Sequence, residues 1–150
     1  MKFAIATAFA AVAIAAPLSS YAQFQNAEAA VKYRQGAFTV MGAHFASIGA
    51  VVKGEKPYDK LSVEQDAAVI ETLAKLPWHA FTPNSATPAS KAKPEVWSEA
   101  DKFKAAAEKM QGETVKLSAA ARSGDLAAIK ASFGATAQTC KSCHDNFRNK

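Results

Sequence analysis

Apolar residues recur at helical spacing along most of this chain, and nowhere do they alternate with the two-residue period of a strand. That pattern commits the fold to helices packed on helices. Clear breakers separate four stretches. The first runs from about Ala27, behind Asn26 as N-cap, to about Lys53, with Gly54 as its stop. Its apolar positions Val31, Phe38, Met41, Phe45, Ile48 and Val52 step by three, four and seven. The spacing predicts a second helix from Ser62, where Ser62-Val63-Glu64-Gln65 reads as a capping box, through Ile70, Leu73 and Leu76 to Pro77. A third opens near Ser98, with Glu99 and Asp101 in its first turn, and carries Phe103, Met110 and Leu117 to Ser123-Gly124. The fourth takes Asp125 as N-cap and runs to the C-terminus on Leu126, Ile129, Phe133, Cys140 and Phe147. Between the second and third lie Pro77, Pro83, Pro88 and Pro94, so this connection is read as an extended crossover. Helices of roughly 22 to 40 Å suit an all-α, antiparallel four-helix bundle with a long crossover between helices 2 and 3.

Met1 to Ala22 stand outside that scheme. Lys2 is followed by an apolar run from Phe3 to Ala16, then Pro17 and small residues up to Ser20-Tyr21-Ala22. The run is shorter than the roughly 20 residues a membrane span needs. Residues 1–22 therefore read as a cleaved signal peptide, with Gln23 as the first mature residue, export to the periplasm and no membrane span. Residues 23–150 make one domain. Hydrophobic residues at 49% against 21% charged exclude an intrinsically disordered chain. A net charge of +5 is too modest to imply nucleic acid or a membrane surface.

The chemistry is concentrated in Cys140-Lys141-Ser142-Cys143-His144, which holds the only two cysteines. C-x-x-C-H is the attachment sequence of haem c: each thiol adds across a vinyl group, and the histidine ligates the iron. On a helix Cys140 and His144 lie one turn apart on one face with Cys143 beside them, so all three can converge on one side of a porphyrin. A thioredoxin-type dithiol wants its first cysteine at a helix N-terminus after a strand, and here the pair lies mid-helix. A zinc site needs a second pair of ligands, and the other histidines, His44 and His79, stand in unrelated contexts. One covalently bound haem c per chain is the reading that remains, with Cys140 and Cys143 as attachment points and His144 as proximal iron ligand.

A haem motif at the end of a four-helix chain resembles the class II c-type cytochromes, and cytochrome c′ in particular. The likeness is carried by Ala30-Val31-Lys32-Tyr33-Arg34-Gln35, by Leu76-Pro77-Trp78 with Phe81, and by Lys93-Pro94-Glu95-Val96-Trp97. It continues through Gly124-Asp125-Leu126, Phe133-Gly134 and Cys140 to Arg148. The resemblance implies a five-coordinate, high-spin haem whose open face is covered by an apolar side chain of the first helix, here Phe38. Low-spin relatives have a coordinating methionine at that position, and a phenyl ring cannot coordinate. Met41 shares the stripe and is the competing candidate, read as a core filler. The resemblance further implies that Arg34 and Gln35 hydrogen-bond a haem propionate. Arg148, four residues beyond His144 and so on its face, resembles a family residue that flanks the proximal histidine, and Trp78 and Phe81 look like haem-edge packing. The resemblance implies binding of nitric oxide and carbon monoxide, with sequestration or detoxification of nitric oxide, and a homodimer through the first two helices. The alternative is a periplasmic electron carrier working through a haem edge near Cys140 and Lys141, its redox partner unspecified. No acid–base pair is visible on the open side, so an enzyme such as a peroxidase is not expected.

Overall fold

The computed structural model describes residues 24–150, and the expected signal peptide lies outside them. Helix α1 spans Ala27–Val52, α2 Lys60–Leu73, α3 Glu95–Ser98, α4 Ala100–Ser123 and α5 Leu126–Phe147. Among the described residues there is no strand, only an isolated bridge between Ala92 and Arg148. Helices α1, α2, α4 and α5 form an antiparallel four-helix bundle, and the proline-bearing crossover spans the stretch from α2 to α4.

Caps set most of the boundaries. Asn26 accepts the amide of Ala29 at 2.8 Å to start α1, and Asp125 accepts those of Ala127 and Ala128 to start α5. Gly54 and Gly124 hold φ of 79° and 77°, the left-handed region in which a side chain is strained. Four boundaries differ from the sequence reading. Helix α2 starts two residues early because Asp59, not Ser62, is its N-cap. That carboxylate accepts both the amide of Ser62 at 3.2 Å and its hydroxyl at 2.6 Å, so Ser62 serves the cap. At its other end α2 stops at Leu73, leaving Leu76 exposed. The third bundle helix starts after a separate single turn, α3, and the chain bends at Glu99, whose φ of −119° and ψ of 45° leave the helical region. Finally, α5 ends at Phe147 rather than at the C-terminus. Arg148 is extended, Lys93 donates its amide to Phe147 O at 3.0 Å, and Asn149 donates to Lys91 O at 2.8 Å.

The core is one continuous layer of Met41, Ile48, Val51, Val63, Ala67, Ile70, Met110, Leu117 and Ile129. Both short connections lie at one end, where Tyr58 donates to Gly124 O at 3.0 Å. The other end gathers the start of α1, the crossover and the end of α5. By length and composition α1 could cross a membrane. Its buried residues Val31, Met41 and Ile48 and the buried Arg34 place it instead as a wall of the bundle.

Candidate functional site

The bundle encloses a cavity of about 610 Å³ at the end where the crossover passes, large enough for a sizeable organic cofactor. Every residue singled out from the sequence as a haem contact, attachment point or ligand lines it: Arg34, Gln35, Phe38, Met41, Trp78, Phe81, Cys140, Cys143, His144 and Arg148. Helix α1 supplies one wall, α5 the opposite one, and the crossover the rim.

On the α5 wall both thiols are free and partly buried. Burial raises the Cys140 pKa. Burial and then the neighbouring Cys140 push Cys143 up to about 11. The pair is thus held as neutral thiols in mid-helix, the opposite of a thioredoxin pair, whose attacking thiol is ionised by a helix N-terminus. For His144, burial first and Arg148 second lower the pKa, while Asp145 opposes them. The imidazole is therefore neutral at pH 7, with a lone pair to offer a metal. Arg148 reaches this neighbourhood from extended backbone, not from the helical face on which the four-residue spacing had placed it.

The α1 wall is apolar. Phe38 is half-buried and meets the edges of Trp78 and Phe81, with ring centroids 5.8 and 6.4 Å away. Met41 is 8% exposed and belongs to the core layer as well as to the cavity lining. At the rim, Arg34 is only 3% exposed. Its guanidinium donates to Ala80 O and Ser85 Oγ, each at 2.7 Å, to Ser85 O at 2.9 Å and to Ser90 Oγ at 2.7 Å. It also lies 4.4 Å from the Phe81 ring centroid. All four hydrogen-bond partners are neutral, and no ion pair among the described residues involves Arg34. A buried cation without an anion is costly, and burial lowers its pKa. Gln35 is exposed and donates to Ala89 O at 3.0 Å.

These features fit haem c: two thiols and a neutral imidazole on one wall, apolar rings facing them, and at the rim a buried cation that lacks a carboxylate. His44 hydrogen-bonds Asp66 at 2.7 Å, and His79 stacks on Phe24, so neither joins the cysteines. Sequence reasoning missed Ser85, Ser90 and the strap of Lys91 and Ala92 that closes the rim. Nothing in their residue types marks them, since only the tertiary path of the crossover brings them to Arg34. Phe103, Met110 and Phe147 were legible as stripe residues, though not as cavity lining.

The model of the family described as cytochrome c′ matches residues 29–148. The chain belongs to the cytochrome c′ family. The cytochrome c′ of Alcaligenes xylosoxydans xylosoxydans is 47% identical over 128 residues, covering 85% of this chain and 99% of that protein. That of Rubrivivax gelatinosus is 44% identical over 129 residues. Its crystal structure matches with a TM-score of 0.82, covering 85% of this chain and all of the other. A nitric oxide complex of a cytochrome c prime variant from Alcaligenes xylosoxidans matches at 0.81 with 45% identity, over 85% of this chain and all of that one. Four-helix architecture and a c-type haem are thus common to the family.

Proposed function

We propose that the chain is an exported, periplasmic c-type cytochrome that binds nitric oxide and carbon monoxide and serves to sequester or detoxify nitric oxide. One observation carries the reading: among the α1 side chains that line the cavity, the one packed against the rings of Trp78 and Phe81 is Phe38, whose phenyl ring cannot ligate a metal, while Met41 is held in the core layer. Cys140 and Cys143 would hold one haem through thioethers, His144 would ligate its iron, and the Arg34 charge would offset a propionate. When bound, the haem would supply an iron able to take a small diatomic ligand, and Phe38 would keep water and larger ligands away from it. The wall around it, with Met41, Gly42 and Phe45, offers no acid–base pair, which sets gas binding ahead of peroxidase chemistry. The solved nitric oxide complex of a relative supports the choice of ligand. Association as a homodimer through α1 and α2 belongs to the same reading.

The test uses purified holoprotein. Its mass should equal the chain from Gln23 plus one haem that resists acid–acetone extraction. Phe38→Ala should then raise carbon monoxide affinity, because an incoming ligand no longer has to displace a packed ring. Repacking of that kind costs about 1–3 kcal/mol, which corresponds to roughly 5- to 150-fold. Unchanged affinity with a lowered melting temperature would reduce Phe38 to a packing residue.

A further inference from the structure

Phe38 does not stand alone in the wall, and the rings beside it, which line the same cavity, are pinned by polar anchors. Trp78 meets Phe38 nearly edge-on, at 77° between planes, and donates its indole N–H to Ala74 O at 2.6 Å. Ala74 is fully buried at the end of α2, and Pro77, also buried, fixes the backbone just before the indole. Phe81 meets Phe38 at 61°. It lies under the Arg34 guanidinium, and its carbonyl accepts the Trp97 indole N–H at 3.1 Å. Phe103 of α4 packs edge-on against both, with centroids 5.7 Å from Trp78 and 4.8 Å from Phe81. Phe147 backs Phe103 in turn at 5.2 Å. A ring that yields to a ligand must move its neighbours, and these neighbours are hydrogen-bonded or wedged in place.

We infer that Trp78 and Phe81 are specificity-determining positioning residues: they clamp Phe38, and this clamp sets how strongly the site resists a ligand. The inference rests on the reading of Phe38 as the cover of the open face, and deepens it. In close-packed interiors such resistance comes from neighbours that cannot relax. Each edge contact of an aromatic pair is worth enough that its loss should loosen Phe38 by about 2- to 12-fold in ligand equilibrium.

A double-mutant cycle on the holoprotein tests it, with carbon monoxide affinity and association rate as readouts. Trp78→Leu and Phe81→Leu are each made with Phe38 present and in the Phe38→Ala background. Trp78→Phe serves as the conservative variant, and helical circular dichroism checks the fold. The clamp predicts that both leucine variants raise affinity about 2- to 12-fold when Phe38 is present, that Trp78→Phe restores most of the resistance, and that neither matters once Phe38 is alanine. Equal effects in both backgrounds would mean that Trp78 and Phe81 act directly on the cofactor, and would overturn the clamp while leaving Phe38 as the cover. No effect with Phe38 present would overturn it too. If Phe38→Ala itself leaves affinity unchanged, the cover reading fails and the clamp falls with it. Should Trp78→Leu not fold, the Phe81 arm and the Trp78→Phe variant decide the matter by the same criteria.

Discussion

The proposed function gives Arg34 a second job beside the one its hydrogen bonds show, on the same guanidinium. Its four terminal N–H groups are committed to Ala80, Ser85 and Ser90, which staples the crossover to α1. Its charge meanwhile has no anion among the described residues, which suits a propionate at the rim. Arg34→Leu keeps the stem's packing but strands buried acceptors, above all Ser85, which is fully buried. Stability should fall by roughly 2–4 kcal/mol, and protease should cleave the crossover between residues 82 and 90 faster. An unchanged melting temperature and cleavage rate would show that the staple is not formed in solution. The arginine was legible in the sequence as a polar residue on an apolar stripe. Its partners were not, because serines 51 and 56 residues away announce nothing until the crossover is folded.

At the scale of elements, the bundle helices were readable because caps and breakers agree with periodicity. The second helix shows where such reading slips. The pattern Ser-x-x-Gln points to Ser62 as the cap, whereas in the structure the carboxylate of Asp59, three residues earlier, takes the amide and the hydroxyl of Ser62 together. These bonds to Ser62 hold the Asp59 pKa below the ordinary carboxylate value of 3.8. A lowered folded pKa contributes stability that is present above the unfolded value and is lost as pH falls through the folded one. Thermal melts of Asp59→Asn should therefore lose less stability than the parent on going from pH 5 to below about pH 4. Parallel acid profiles would show that Asp59 does not cap α2. The last turn of α5 illustrates a second kind of slip. The apolar stripe ends at Phe147 with no Gly or Pro after it to stop the helix, and bridging of Arg148 and Asn149 to Lys91 and Ala92 draws the chain out of the helix.

For the molecule as a whole, the bundle brings sequence-distant groups to one cavity at one end, and the division of labour follows its walls. On the proposed reading α5 would carry attachment and ligation and α1 the cover, with the crossover at the rim. Two methionines line the cavity, Met41 and Met110, so the central claim reduces to whether either reaches the metal or Phe38 leaves that side open. The absorption spectrum of the reduced holoprotein, recorded before and after carbon monoxide, tests this most directly. An open side covered by Phe38 predicts a high-spin spectrum that shifts promptly on adding carbon monoxide and is insensitive to Met41→Ala. A low-spin spectrum that resists carbon monoxide and turns high-spin in Met41→Ala would contradict it, making Met41 the second ligand and the protein an electron carrier.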